Sequence, residues 1–134
     1  MHMKTAPEEL EVVFTALADR TRLRLLNLMA GGEVCVCFFV EVLDEPQPKI
    51  SRHLGFLRHA GLVTARREGK WMHYSIATPK QPTAQRIFQQ TLEALRDDPA
   101  MQHDRAALMK ACCSRRAPEL LKRAPKPELV DRRS

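Results

Sequence analysis

At 134 residues the chain has one domain's worth of sequence, enough to bury a core, with a dimer to complete it. Its 44% hydrophobic and 5% aromatic content suits a small, mainly helical protein. The longest apolar run, Val34 to Val40, is far too short to span a bilayer, and no signal peptide is legible, so a cytoplasmic protein without membrane contact is expected. The formal charge of +6 is uneven: residues 47–76 carry six Lys or Arg against one acid and residues 115–134 seven against three, whereas residues 1–46 carry eight acids against four bases. A basic block beside an acidic one is the pattern of a nucleic-acid-binding face.

In chain order, Leu10, Val13, Phe14 and Leu17 recur at helical spacing over residues 8–18. Asp19 can cap a second helix over residues 21–30, with Leu23, Leu25, Leu26 and Met29 inward, which stops at Gly31-Gly32. A third helix, residues 36–43, places Val36, Phe39, Val40 and Leu43 on one face. Residues 44–47 then form a turn into a fourth helix, QPKISRHLGFLRHAGL, which makes a helix-turn-helix.

In that fourth helix Pro48 takes the first turn, where its missing N–H costs nothing, and Ile50, Leu54 and Leu57 face a core. Pro48, Ser51, Arg52, Gly55 and His59, flanked by Lys49, fall on the opposite arc, a short-chained basic face of the kind a duplex major groove admits. Gln47, Lys49, Ser51, Arg52 and His53 are the candidate DNA contacts on its early turns. Residues 62–66 and 71–77 read as two strands joined by the turn Arg67-Glu68-Gly69-Lys70. Arg66, Arg67 and Lys70 near its tip are placed to reach phosphates, as a wing does.

Pro79 and Pro82 separate the hairpin from a helix over residues 83–97, whose wide stripe of Ala84, Ile87, Phe88, Thr91, Leu92 and Leu95 is expected to meet a second copy of the chain. A last amphipathic segment spans residues 100–114. The division expected is a winged helix-turn-helix and dimerisation domain at 1–98, a helical extension with a cysteine pair at 99–116, and a basic, disordered tail at 117–134. The fold class is mainly α with a small β-hairpin.

The segments ALADRTRLRLLNLM (16–29), EVCVCFFVEVL (33–43), QPKISRHLGFLRHAGLV (47–63) and REGKWMHYSI (67–76) together resemble the ArsR/SmtB family of metalloregulatory repressors, over roughly residues 10–78. The resemblance implies a homodimeric winged-helix repressor that leaves its double-stranded operator DNA when a metal or metalloid binds. The CVC segment with QPKISRHL and GKWMHY is most similar to the arsenite-responsive members, which implies As(III) or Sb(III) as inducer and Cys35 and Cys37 as ligands. Those members carry C-x-C-x-x-C, and here Val40 stands in the third place. Cys112 and Cys113 are the only candidates for a further thiolate, either completing that site or forming another. The zinc sites of other members need Asp and His on the C-terminal helix, and residues 83–97 hold no histidine.

Two cysteines at i and i+2 on a regular helix point about 200° apart, so meeting one ion would require local unwinding of the helix that supports the reading helix. That gives an expected mechanism in which ligand and DNA oppose each other through about 1–3 kcal/mol of coupling. A repressor of the same architecture answering to thiol oxidation, cadmium or lead is the second reading. A cysteine enzyme is the third, but the chain lacks C-x-x-C and a phosphate-binding loop.

Overall fold

The computed structural model describes residues 6–113 and 124–129. In chain order these form α1 (Ala6–Leu17), α2 (Arg20–Met29), β1 (Val34–Cys35), α3 (Val36–Leu43), α4 (Gln47–His59), β2 (Val63–Glu68), β3 (Trp71–Ile76), α5 (Pro82–Asp97) and α6 (Pro99–Cys113). No helix among the described residues is long and apolar enough to cross a membrane.

Local chemistry sets the boundaries. The Asp19 carboxylate accepts from the Arg22 backbone N–H and caps α2. Asp44, with φ 52°, closes α3 in the left-handed region that Asp tolerates. At the end of α4, Gly61 (φ 75°) lets its own N–H reach the Arg58 carbonyl while the Leu62 N–H reaches that of Leu57, at 3.0 Å each. This pair of bonds satisfies the last carbonyls and turns the chain into β2.

One apolar cluster joins Leu25, Leu26 and Met29 of α2 to Phe38 and Phe39 of α3 and to Ile50, Leu54 and Leu57 of α4. Truncating a leucine here to alanine should cost about 2–5 kcal/mol. Against this cluster lies a three-stranded antiparallel sheet in the order β1-β3-β2. The hairpin is longer than the sequence suggests: Arg67 pairs with Met72 and Glu68 with Trp71, leaving only Gly69-Lys70 as the turn. Strand β1 is an addition, pairing Val34 with Tyr74 and Cys35 with His73.

Two expectations about the C-terminal half need correction. The α5 stripe is spent partly within the chain, with Ala84 and Phe88 buried and Leu92 packed on the core. Helix α6 is also not an appendage. It folds back so that Leu108, Ala111 and Cys112 join the same core, because two polar clamps hold it to α2. Arg24 grips Asp104 through two bonds of 2.7 and 3.0 Å, and the Asn27 amide donates to the Met101 carbonyl at 2.9 Å while its oxygen accepts from Arg105.

The tail also differs from expectation over residues 124–129, where Ala124 is buried and Leu129 packs on the core. The segment comes so close to the α2–β1 turn that a Cβ on Gly32 would sit 2.9 Å from the Glu128 carbonyl oxygen. The rest of the tail expectation, like residues 114–116 of the extension, lies outside the described residues.

Candidate functional site

Helix α3, the turn from Asp44 to Pro46 and α4 form the helix-turn-helix, with α4 as its second helix. Gln47, Ser51, Arg52 and His59 are exposed on one side of α4, opposite the buried Ile50, Leu54 and Leu57. Gly55 lies on the same open surface, where an added Cβ would meet nothing within 4 Å. Lys49 is half-buried and pairs with Glu45 at 2.9 Å.

His53 departs from its expected place among the DNA contacts. It is 7% exposed and turned inward, with Nδ1 3.2 Å from the Arg22 guanidinium and 3.7 Å from the Asp19 carboxylate. Arg22 is itself buried: it donates to the carbonyls of Ala16 and Thr15 at 2.8 and 2.9 Å and lies 4.9 Å over the Phe56 ring. A buried guanidinium needs this many acceptors to offset lost hydration. Helix α4 is thereby fastened to the α1–α2 corner. Burial, first of all, and then the Arg22 charge lower the affinity of His53 for a proton, although Asp19 opposes them.

On the wing, Arg67 and Lys70 are exposed near the tip, Arg67 donating to the Gly69 carbonyl at 3.1 Å and Lys70 resting 5.1 Å over the Trp71 ring. Arg66 does not reach the tip. It sits mid-strand opposite His73 and is bound to Glu33, with its shortest contact at 2.6 Å. His73 is buried between two carboxylates: Nε2 lies 3.1 Å from Glu68 but out of line for a hydrogen bond, and Nδ1 lies 3.9 Å from Glu33.

The cysteines fall into two environments. Cys35 is the extended residue just before α3, φ −71° and ψ 141°, rather than a member of the helix. The helical angle expected between Cys35 and Cys37 therefore does not apply, and the Cys37 thiol donates to the Cys35 sulfur across 3.2 Å without any unwinding. That contact is the main reason the Cys35 thiol is pulled down to about 6. Burial opposes it, and the backbone N–H groups of Cys37 and Val36, together with His73, favour the thiolate. Cys37 moves the opposite way, held protonated chiefly by its contact with Cys35.

Cys112 is fully buried on α6, its sulfur 3.5 Å from the Met109 carbonyl, in the place of a small core residue. Among the described residues no three His, Cys, Asp or Glu side chains are grouped to hold a metal ion. Cys112 is thus not grouped with Cys35 and Cys37 in this structure. The Cys113 side chain lies outside the described residues.

Sequence reasoning missed Arg22 and Glu33, whereas the burial of His73 agrees with the packing role expected of it in the hairpin. Arg22 and His53 are 31 positions apart and on different helices. The available signals were an arginine on the leucine-rich helix α2 and the acid two residues before Cys35.

A helix-turn-helix followed by a basic hairpin defines a winged helix-turn-helix protein. The model for "Bacterial regulatory protein, arsR family" matches residues 19–65. The arsenic resistance transcriptional regulator ArsR2 of Pseudomonas putida is 44% identical over 84 residues, covering 61% of this chain and 72% of that one. The chain belongs to the arsR family of bacterial regulatory proteins. The arsenical resistance operon repressor of Escherichia coli is 50% identical over 66 residues, covering 48% of this chain and 56% of the relative. The chain thus spans little more than half the length of that relative.

Among solved structures, the crystal structure of a possible transcriptional regulatory protein (fragment 1–100) from Mycobacterium bovis is 32% identical with a TM-score of 0.57, covering 72% of this chain and all of that one. The solution structure of a homodimeric winged helix-turn-helix DNA-binding domain from the same organism is 28% identical with a TM-score of 0.56, covering 74% of this chain and 94% of that one.

Proposed function

We propose that the protein is a homodimeric repressor that binds operator DNA through α4 and the wing and is released when trivalent arsenic or antimony binds Cys35 and Cys37. The observation that carries the reading is the thiol pair, with its sulfurs 3.2 Å apart at the junction between β1 and the first helix of the helix-turn-helix. Two soft donors in this geometry suit a thiophilic ion of low coordination number. The pair is prepared for it, since Cys35 favours the thiolate near neutral pH. Relatives named for arsenical, mercury and cadmium resistance support a thiophilic inducer.

Gln47, Ser51 and Arg52 are the proposed base-edge and phosphate contacts, with Lys49, Arg67 and Lys70 adding charge. Arg66 is tied to Glu33 and contributes mainly to holding the wing. The homodimer is supported by the M. bovis domain and by the exposed Phe14 of α1 and Met109 of α6. Sedimentation at micromolar concentration is expected to give twice the chain mass.

The deciding experiment is a fluorescence anisotropy titration of reduced protein on the DNA upstream of its own gene, with arsenite, antimonite, cadmium and zinc added in turn. Cys35→Ser/Cys37→Ser is expected to hold DNA and ignore arsenite, and Cys112→Ser/Cys113→Ser to release as the wild type does. Full release of the first variant sinks the reading.

One observation favours a second reading, in which peroxide is the signal. A depressed thiol 3.2 Å from its neighbour can be oxidised so that the two sulfurs join, giving two electrons and two protons to peroxide, which leaves as two waters. Loss of DNA binding under peroxide that dithiothreitol reverses, without any response to arsenite, would favour it.

A further inference from the structure

We propose that a row of side chains across the sheet, Cys35, His73 and Arg66 with Glu33 clamped to its far end, transmits occupancy of the thiol pair to the wing, and that Glu33 and His73 are positioning residues for release from DNA. The inference rests on the reading of Cys35 and Cys37 as the inducer site.

The strand register places the row. Cys35 of β1 lies opposite His73 of β3, and His73 lies opposite Arg66 of β2. Directly opposed residues in antiparallel strands share a face, with their Cβ atoms about 5 Å apart. Glu33 stands two residues before Cys35, and in extended chain that parity returns it to the same side. From there it holds Arg66 through contacts of 2.6, 3.2 and 3.2 Å.

The attachment of the wing to the inducer strand is correspondingly slight. Among the described residues it rests on the two residue pairs of β1 with β3, this ion pair and the looser approach of His73 to Glu33. Cys35 ends β1 and immediately precedes α3, so a sulfur that turns toward an ion displaces the strand and the helix start together. Moving β1 moves Glu33, and Glu33 pulls on the middle of β2.

A second arrangement is available to receive that movement. His73 Nε2 is buried with no aligned partner, although a Glu68 oxygen stands 3.1 Å away. A small rotation of the hairpin would align the two as the Glu33 clamp shifts. Coupling between sites needs such an element with two discrete arrangements rather than proximity alone. Because Arg66 and Glu33 are 53% and 35% exposed, solvent screens their pair, and its removal should reduce the coupling by about two- to fivefold.

The test compares wild type, Glu33→Gln, His73→Phe and the double variant. Arsenite binding is read from ultraviolet thiolate–arsenic absorption and the count of free thiols, and operator Kd by anisotropy with and without arsenite. Each single variant is expected to bind arsenite with wild-type stoichiometry. Glu33→Gln should hold DNA without arsenite within about twofold of wild type. For both, the ratio of the two operator Kd values should fall about two- to fivefold, and the double variant should lose no more than the larger single loss.

A full wild-type ratio in Glu33→Gln overturns the proposal, and that variant decides alone if His73→Phe does not fold. Additive losses in the double variant also overturn it. Wild-type protein that binds no arsenite, or stays on DNA with arsenite bound, overturns the inducer reading and this path with it. Wild type alone reveals that failure, so it is distinguishable from failure of the path.

Discussion

The reading helix and the wing are attached to the rest of the chain by opposite means. Helix α4 is anchored through His53 to a buried guanidinium that also holds two backbone carbonyls of the α1 end, the contacts to His53 and Ala16 being buried. Beyond the packing of Val63, Tyr74 and Ile76 at its base, the wing is anchored by an exposed ion pair and a two-residue strand. A buried charge network has few alternative arrangements, because any half-broken state leaves an uncompensated charge in the interior. An exposed pair exchanges partners with water at little cost. The element that must present fixed side chains to DNA is thus the rigidly held one, and the element beside the thiol pair is the adjustable one.

The largest expected effect breaks the rigid side. Arg22→Ala removes three hydrogen bonds and the stacking on Phe56, and should lower stability by about 3 kcal/mol in urea unfolding. A loss under about 1 kcal/mol would erase the contrast between the two anchors. Next in size, Arg52→Ala on the exposed face of the same helix should weaken operator binding by about 1–3 kcal/mol while changing stability by under about 0.5 kcal/mol. Equal operator affinity at physiological salt would remove Arg52 from the interface. Arg67→Ala at the wing tip should weaken binding more uniformly across DNA sequences and lower the salt slope by about one.

The same contrast explains what was legible in the sequence. Periodicity found α3 and α4 because Phe39, Leu43, Ile50, Leu54 and Leu57 repeat on one side of their helices, and a local repeat needs no knowledge of the partner. The exposed arc of α4 was legible for the same reason, as its complement. His53 was misplaced because its position on the helix is marginal and the group that draws it inward, Arg22, is remote in sequence. Strand β1 has two residues and no alternation to detect, and it exists only because β3 offers it an edge. Its omission carried an error into the chemistry: treating Cys35 as helical separated two sulfurs that lie in contact. Helix α6 was seen as a helix, but its docking depends on Arg24 meeting Asp104 across 80 positions, which no local pattern contains.

The smallest effect sharpens the comparison through pH, because both titrating groups of the α4 anchor are shifted. His53 is shifted below its ordinary value of 6.5, first by burial and then by Arg22, Arg52 and Lys49, with Asp19 opposing. The folded state therefore resists a proton that the unfolded chain accepts, so its contribution is complete above about pH 6.5 and is lost as pH falls through the folded value. For Asp19, burial raises the carboxyl, but the Arg22 backbone N–H and the charges of His53 and Arg22 outweigh it, and the group lies below 3.8. Its contribution holds above that pH and fades only as acid reaches the lower folded value. Acidification should accordingly weaken the anchor in two separate stages. His53→Gln should abolish the first stage and retain the second, read as the difference in unfolding free energy between pH 7.5 and 5.5 and again below pH 4. A variant that loses as much stability as wild type between pH 7.5 and 5.5 would show that His53 is not held neutral, and that the reading helix is less firmly sealed than its contacts imply.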